Sequence, residues 1–210
     1  MKLADMTVRE FLNVMASDAP APGGGSAAAF CGAQGAGLAA MVAGLTIGRK
    51  KFAEFEETCL AVQAEAQALA EKMIIQIDKD TEAFNLVAAA FKLPKSTDEE
   101  KAERSRAIQA GTLVSTEVPF ETMVLALDAL RCAEKLLAGF NDGAASDLGV
   151  AGWNLLTCVK GAWLNVCINI GSLKDKEKAE SFRSRGQAIL KEAEEIAARI
   201  AGNTEKIIGA

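Results

Sequence analysis

Hydrophobic residues recur along this chain mainly at three- and four-residue spacing, which is the period of an α-helix. No segment shows the sustained apolar–polar alternation of a half-buried strand, and runs of β-branched residues are few. Proline, glycine and asparagine divide the chain into long stretches. The pattern therefore predicts an all-α protein, a single-domain bundle of long helices that spans residues 1–210.

Capping signals and small residues define the first two helices. Thr7 and Glu10 have the spacing of a capping box and predict a helix that runs through Val14. Two prolines and three glycines follow, and Ser26 is predicted to cap the second helix. Small residues recur every four positions along this helix, so another backbone can approach it closely. They are Gly32, Ala36, Ala40 and Gly44.

The middle of the chain predicts two further long helical stretches. Residues 52–91 are amphipathic and end before a proline. Thr97 and Glu100 then offer a second capping box. Pro119 is expected to interrupt or kink this helix, after which residues 120–137 resume the helical pattern.

Two helices are predicted in the last third of the chain. Ser146 is predicted to cap a helix that runs to residue 170, and a final helix is predicted over residues 176–207. The final helix carries a heptad-like apolar seam, which predicts packing within the bundle or a role in a dimer interface. The seam consists of Ala179, Phe182, Gly186, Ile189, Ala193, Ile196 and Ile200.

Composition excludes several classes of function. The net charge of −5 argues against binding to nucleic acid, because neutralising phosphates needs an excess of Lys and Arg. The chain has no histidine, and its five cysteines are far apart in sequence, so the usual ligands of a zinc or transition-metal centre are missing. We expect no metal, and we expect the cysteines to be small core residues in a reducing cytosol.

The chain is expected to be cytoplasmic and not to enter a membrane. Residues 1–14 mix charged with apolar residues and lack the apolar core of a signal peptide. Residues 26–48 carry no charge and are long enough to raise the question of a membrane span. Alanine and glycine dominate this segment, with Gln34 near its middle, so a buried core helix is the favoured interpretation.

Three segments carry a pattern specific to one protein family. In residues 19–51 the turn Pro-Gly-Gly-Gly-Ser occupies positions 22–26. The sequence DKDTEAF stands at positions 78–84 and is followed by LPK at 93–95, and the third segment covers positions 141–169 and ends in LNVCIN. In these motifs the chain resembles the cyclodeaminase/cyclohydrolase family, which includes the cyclodeaminase half of formiminotransferase-cyclodeaminase and stand-alone methenyltetrahydrofolate cyclohydrolases.

The resemblance implies an all-helical homodimer that binds a folate in a groove between helices or subunits, with no metal or redox cofactor. It also makes Asp80 the counterpart of the family's catalytic aspartate. Asp78, two residues earlier, points elsewhere on the helical wheel. Taken without the resemblance, the spacing favours a solvated helical acid at Asp80.

The glycine turn at Gly23, Gly24 and Gly25, with Ser26 after it, is the second candidate element. Successive glycines can adopt positive φ and present backbone N–H groups to a carbonyl or carboxylate of a ligand. A helix that starts after Ser26 adds the positive end of its dipole. The alternative is a flexible turn before a tightly packed helix.

Five polar residues of the third segment are candidates for contacts with the pterin edge or a reaction intermediate. They are Asn141, Ser146, Asp147, Asn165 and Asn169. The last two are four residues apart and share one helical face, where their amides offer both donors and acceptors. The alternatives are a helix start for Ser146 and Asp147 and a structural helix bridge for the asparagines.

Arg49, Lys50 and Lys51 are predicted to close the second helix, where the helix dipole alone favours cations. Folates carry glutamate carboxylates, so Lys50 and Lys51 are also candidates for binding that tail, in its monoglutamate or polyglutamylated form, at a cleft edge.

The chemistry implied by the resemblance suits a carboxylate. The methenyl bridge is an amidinium-like cation that Asp80 would stabilise, and the same group would relay a proton. The leading prediction is hydrolysis of 5,10-methenyltetrahydrofolate to 10-formyltetrahydrofolate, because the chain carries no transferase domain. A formimidoyltetrahydrofolate cyclodeaminase that releases ammonia is the first alternative, and a non-catalytic folate-binding helical protein is the second.

Overall fold

The computed structural model describes residues 2–209, which contain six α-helices. These are Val8–Met15 (α1), Gly24–Gly44 (α2), Glu56–Phe91 (α3), Asp98–Glu134 (α4), Ala145–Ile170 (α5) and Lys176–Ile208 (α6). Four short 3-10 helices lie at Leu3–Asp5, Lys50–Phe55, Lys135–Ala138 and Asp142–Ala144. Residues 2–209 contain no strand, and the predicted all-α class is confirmed.

Both predicted capping boxes are confirmed. The Thr7 hydroxyl accepts the backbone N–H of Glu10 at 3.2 Å, and the Thr7 N–H donates to the Glu10 carboxylate at 2.8 Å. Thr97 and Glu100 repeat the arrangement at 3.2 Å and 3.1 Å. Each box satisfies two N–H groups that have no acceptor inside their own helix.

Three other details of the helix assignment were predicted wrongly. Gly23, not Ser26, is the N-cap of α2, because the Ser26 hydroxyl is turned toward α3. Ala144, not Ser146, precedes the first residue of α5. The helix expected to be interrupted or kinked at Pro119 is not interrupted, because a proline removes only one internal hydrogen bond and the carbonyl of that bond finds another donor.

Four helices form a closed antiparallel ring. α2 packs against α3 and α5, and α4 packs against the other side of the same two helices. The start of α2 at Ser26 lies beside Ile77 of α3, whereas its end at Gly44 lies beside Gln63. The small-residue strip explains the close packing, since a β-carbon at Gly32 would overlap Cys158 of α5.

α2 is the one helix among residues 2–209 whose length and composition would allow it to cross a membrane. In the fold, its Ala and Gly residues are largely buried between α3 and α5, which is the environment of a core helix. Cys59, Cys132 and Cys158 are buried, while Cys31 and Cys167 are half-buried, and all five carry free thiols.

α6 covers the outside of the ring and packs on α5 and α4. Its predicted apolar seam faces inward, with Ala193, Ile196 and Ile200 fully or almost fully buried. Gly186 is part of this seam because the ring of Trp163 on α5 fills the space of a side chain there. The seam is therefore used within the bundle.

The unequal lengths of the helices determine where the functional site lies. α3 and α4 have 36 and 37 residues, whereas α2 has 21. Since Asp80 of α3 lies beside the start of α2, residues 81–114 extend past that start as a helical hairpin, here called the arm. At about 1.5 Å per residue, the last eleven residues of α3 reach roughly 16 Å beyond α2. The base of the arm is where α2, α3, α4 and α5 meet.

Candidate active site

Asp80 is half-buried at the base of the arm, and Ser26 holds its carboxylate. The backbone N–H of Ser26 donates to Oδ2 at 2.9 Å, and the Ser26 hydroxyl lies 3.2 Å from the same oxygen. The hydroxyl also donates to the Ile77 carbonyl at 2.8 Å. Because a hydroxyl has one proton, these two acceptors share it, and the backbone N–H is the steadier partner of Asp80.

Burial raises the pKa of Asp80 above its usual range, while the side-chain and backbone hydrogen bonds from Ser26 act in the opposite direction. The shift follows from the cost of a charge in a partly dehydrated pocket. A cation bound next to Asp80 would offset that cost. Asp80 is therefore a candidate for a group that exchanges a proton.

Gly25 has a steric role that the sequence alone did not reveal. Its α-carbon lies directly against the carboxylate of Asp80, and a β-carbon there would overlap both oxygens. Gly24 lies next to the side chain of Asn165, 3.3 Å from where its own β-carbon would be. Glycine is thus required at position 25 to let Asp80 reach the first turn of α2.

The predicted positive φ in the glycine turn is not observed. Gly23 is extended, with φ −106° and ψ −162°, and Gly24 and Gly25 are already helical. Positive φ occurs only at Gly48 and Gly209 among residues 2–209. The N–H groups of Gly24 and Gly25 belong to the first helical turn, which provides no acceptor of its own, so they can still donate to a ligand.

Asp80 lines a cavity of about 280 Å³, near the lower end of the range for small-molecule sites. Pro20, Ala21, Gly23 and Gly24 contribute the backbone side of the cavity. Its polar side chains are Asp80, Thr81, Ser115, Asn165 and Asn169, and its larger apolar ones are Phe84, Val87 and Ile168. Phe84 and Ile168 are 42% and 74% exposed, so the cavity has an open apolar rim.

Asn165 and Asn169 share one face of α5, as their spacing predicts, and both line the cavity. Asn165 Nδ2 donates to the Gly161 carbonyl at 2.9 Å, one turn earlier in α5. Asn169 Nδ2 donates across to the Ser115 carbonyl of α4 at 2.6 Å. Each amide nitrogen thereby uses one of its two N–H groups within the protein, and no hydrogen bond from residues 2–209 reaches either amide oxygen, so both oxygens are open acceptors for a ligand.

Pro119 explains the bond between Asn169 and Ser115. In a helix the carbonyl of residue 115 would accept the N–H of residue 119, and proline has none. The freed carbonyl instead fixes the Asn169 amide. Sequence reasoning missed Ser115, although a proline inside a helical stretch was the signal that could have indicated it.

The remaining predicted site residues lie elsewhere in the chain. Lys50 and Lys51 follow the end of α2, in the 3-10 helix Lys50–Phe55 and not in α2 as predicted. α2 is roughly 30 Å long, so they lie far from Asp80. The Lys51 ammonium is bound to the Asp142 carboxylate at 2.6 Å.

Asn141, Ser146 and Asp147 also lie near the end of α2. The Asn141 N–H donates to the Thr46 hydroxyl at 3.0 Å, and its side-chain oxygen accepts the N–H of Gly143 at 3.2 Å. Ser146 is exposed and Asp147 half-buried in the first turn of α5. The fold of the chain therefore does not bring these three residues to the Asp80 cavity.

Asp78 points away from the cavity, as predicted, and accepts the N–H of Leu3 at 2.6 Å. Its role is to fasten the N-terminal segment to α3. Within residues 2–209, no three Asp, Glu or Cys side chains are grouped so that they could hold a metal ion.

Comparison with known proteins finds relatives from a single family. The model of the formiminotransferase-cyclodeaminase family matches residues 7–188. A methenyltetrahydrofolate cyclohydrolase of Methylorubrum extorquens is 39% identical over 194 residues, 92% of this chain and 93% of that protein. The formimidoyltransferase-cyclodeaminase of Rattus norvegicus is 34% identical over 97% of this chain, which spans 38% of that longer protein.

A solved structure shows the same architecture. The formiminotetrahydrofolate cyclodeaminase of Thermotoga maritima superposes with a TM-score of 0.80 at 25% identity, over 99% of this chain and 98% of that one. The helical ring and the motif residues at the base of the arm are consistent with the family of these relatives. This chain belongs to the formiminotransferase-cyclodeaminase family.

Proposed function

We propose that this chain is a methenyltetrahydrofolate cyclohydrolase, which converts 5,10-methenyltetrahydrofolate to 10-formyltetrahydrofolate. The observation that carries the proposal is the half-buried carboxylate of Asp80, which Ser26 holds against Gly25 in an open cavity of about 280 Å³. The 39% identity to a protein of that name, along nearly its whole length, supports this activity over the alternative.

The cavity offers complementary groups to a pterin. Phe84 and Ile168 provide apolar surface for the flat ring. The amide oxygens of Asn165 and Asn169 accept from the 2-amino group and the ring N–H, because one N–H of each amide is held by the protein and orients its oxygen. In this proposed orientation we expect the methenyl bridge to lie next to Asp80.

In hydrolysis, the carboxylate of Asp80 faces a cationic carbon. Ionised Asp80 takes one proton from water as the water oxygen bonds to the bridge carbon, which gives a neutral tetrahedral carbinolamine. Asp80 then returns this proton to N5 as the carbon–N5 bond breaks. The carbinolamine hydroxyl loses its proton to solvent and becomes the formyl carbonyl on N10. One proton is released overall.

Cyclodeamination would use the same groups. N10 of protonated 5-formimidoyltetrahydrofolate attacks the formimidoyl carbon, and Asp80 carries the N10 proton to the nitrogen that leaves as ammonia. The product is the methenyl cation, so the charge next to Asp80 is conserved. The family includes proteins of both names, and this activity is the runner-up.

The deciding experiment follows methenyltetrahydrofolate by its absorbance, alongside ammonia release from formimidoyltetrahydrofolate, with purified protein and with Asp80→Asn. Asp80-dependent decay of the methenyl compound without ammonia release supports the cyclohydrolase. Ammonia release with accumulation of the methenyl compound identifies a cyclodeaminase. Folate binding without turnover, unchanged by Asp80→Asn, identifies a non-catalytic folate-binding protein.

We further propose that the protein works in the cytoplasm as a homodimer without a metal or redox cofactor. The arm supports dimerisation, because it exposes a cluster of large apolar side chains beyond the ring of helices. They are Leu86 and Leu93, which line one groove of the arm and are 52% and 36% exposed. Light scattering should give a mass about twice the 22.0 kDa of one chain. Leu86→Glu should lower the measured mass toward that of a single chain.

A further inference from the structure

The hydroxyl of Thr81 differs from the hydroxyls of the threonines buried in α4. A threonine in a helix commonly donates its hydroxyl proton to the carbonyl four residues earlier. Three buried threonines of α4 do so at 2.8, 2.8 and 3.1 Å, namely Thr112, Thr116 and Thr122. The corresponding carbonyl for Thr81 is that of Ile77, and it accepts the Ser26 hydroxyl at 2.8 Å instead. Thr81 therefore keeps its hydroxyl free of its own helix.

The direction of the hydrogen bonds around Ser26 follows from counting protons. The Ser26 hydroxyl has one proton, and both the Ile77 carbonyl and the ionised carboxylate of Asp80 can only accept it. Ser26 Oγ is thus left as an acceptor toward Thr81 Oγ1, which lies 3.4 Å away. The Thr81 proton points to Ser26, because no other hydrogen bond of this hydroxyl occurs within residues 2–209. The lone pairs of Thr81 Oγ1 remain available as acceptors.

Thr81 is half-buried and lines the Asp80 cavity. It lies on the same face of α3 as Asp80, because both are within one turn of Phe84. Oδ2 of Asp80 accepts from Ser26, whereas no hydrogen bond from residues 2–209 reaches Oδ1. Two neighbouring residues of the cavity wall thus offer open acceptors, Asp80 through Oδ1 and Thr81 through Oγ1.

Water that attacks the methenyl carbon needs two acceptors. A lone pair of its oxygen must face the cationic carbon, so both O–H groups have to point elsewhere. Asp80 takes one proton in the proposed mechanism. The amide oxygens of Asn165 and Asn169 are engaged by the pterin in the same proposal, which leaves a cavity hydroxyl to accept the second O–H.

The cavity has one other hydroxyl, that of Ser115, among the residues that line it. Ser115 stands on α4 and donates to the Ala83 carbonyl at 3.1 Å, about one helical turn beyond Asp80. The Thr81 hydroxyl is separated from Asp80 only by the Ser26 hydroxyl, which contacts both. The geometry therefore favours Thr81 as the second acceptor.

We propose that Thr81 Oγ1 and Asp80 together hold the attacking water; this inference rests on the proposed function. The water donates one O–H to Asp80 and the other to Thr81 Oγ1. As the water oxygen bonds to the bridge carbon, the first proton moves to Asp80, and the second stays on the oxygen as the carbinolamine hydroxyl. Asp80 returns its proton to N5 as the carbon–N5 bond breaks. The hydroxyl proton leaves to solvent as the formyl carbonyl forms.

This role makes Thr81 a determinant of reaction specificity. In cyclodeamination the nucleophile is N10 of the substrate, whose single proton Asp80 carries, so no water has to be held. A hydroxyl that holds water next to Asp80 therefore assists hydrolysis and not ammonia release.

The test follows the absorbance of 5,10-methenyltetrahydrofolate with Thr81→Val, which keeps the branched shape and removes the hydroxyl. The variant should lower kcat about tenfold, the scale of one hydrogen bond, with KM unchanged. Thr81→Ser should restore most of the activity. Thr157→Val is the matched control, because Thr157 is exposed on α5 and lies outside the cavity. Thr81→Ala gives the same comparison if valine disturbs the fold.

Two further measurements distinguish water positioning from a structural role. The acid limb of the pH–rate profile should stay in place in Thr81→Val, because Thr81 does not bond to Asp80. The Kd for tetrahydrofolate, which lacks the bridge carbon, should also be unchanged. An unaltered kcat in Thr81→Val, an equal loss in Thr81→Ser, or weaker binding of tetrahydrofolate would overturn the inference.

The same assays separate this inference from the proposed function. Normal hydrolysis by Thr81→Val overturns the role of Thr81 and leaves the cyclohydrolase intact. Ammonia release without hydrolysis by the unaltered chain removes the proposed function, and it also overturns the role of Thr81 because no water is then held for attack.

Discussion

The α-carbon of Gly25 lies directly against the carboxylate of Asp80, so that any side chain at position 25 would displace the acid. The two residues are 55 positions apart in sequence, and they meet because α2 starts where α3 passes the base of the arm. This contact links the glycine motif to the candidate catalytic group by sterics, in addition to any donation by backbone N–H groups.

Gly25→Ala should therefore lower kcat by about 100-fold, the scale expected for a small misplacement of a reacting group. Circular dichroism should show an unchanged helical content. Gly37→Ala is the matched control, since Gly37 is exposed on the same helix and has open space around it. The control should keep full activity and gain about 0.5–1 kcal/mol of stability. Full activity of Gly25→Ala would contradict the steric role.

Asp80→Asn should abolish turnover and raise the thermal stability at neutral pH. The pKa of Asp80 is raised in the folded state, so the folded protein holds this proton more tightly than the unfolded chain does. The wild type is thus stabilised while Asp80 is protonated. It loses that stability as pH rises from about 4, the usual pKa of Asp, through the raised pKa. Thermal unfolding of both proteins across this pH range should show that the difference between their melting temperatures grows with pH. A difference in melting temperature that stays constant would contradict the prediction.

Ser26→Ala should move the acid limb of the pH–rate profile to higher pH. The Ser26 hydroxyl lowers the pKa of Asp80, and its removal leaves burial less opposed. Activity needs the ionised carboxylate, so the variant should lose most activity at low pH and recover it as pH rises. Ser115→Ala is the comparison, because it removes a cavity hydroxyl that bonds to the Ala83 carbonyl and not to Asp80. An acid limb that moves equally in both variants would count against the assignment.

Asn169→Ala should raise KM about tenfold, the scale of one lost hydrogen bond of about 1.4 kcal/mol, with little change in kcat. Asn154→Ala, on the same helix but outside the cavity, is the control.

Pro119→Ala should raise KM by a smaller factor, because an alanine at this position offers an N–H that competes with Asn169 for the Ser115 carbonyl. If Pro119→Ala left KM unchanged, the positioning role of this carbonyl would be wrong.

Local sequence signals predicted the helices well wherever a cap depends only on neighbouring residues. The Thr7 and Thr97 capping boxes are of this kind, since each joins residues three positions apart. Ser26 was misassigned because its hydroxyl prefers partners on α3, 51 and 54 positions away. A cap residue and a residue that positions an acid look the same in sequence.

For the candidate site, too, the sequence predicted some features and could not predict others. Helical spacing alone indicated that Asn165 and Asn169 share a face, and the family motif indicated Asp80. Neither could show that Lys50 and Lys51 lie at the far end of α2, because distance in space depends on how the helices pack. Helical period also gave no sign that Lys174 joins Lys95 and Arg104 in one pocket.

By itself, then, the sequence determined the all-α class, the helices and the candidate acid, because these follow from residue periodicity, local capping and a contiguous motif. The tertiary structure alone decided that Gly25 makes room for Asp80, that the carbonyl freed by Pro119 orients Asn169, and that cations gather along the arm. The physical reason is that helix formation depends on contacts within four residues. A cavity and its electrostatics depend on contacts between helices that the antiparallel ring brings together across 50 or more positions.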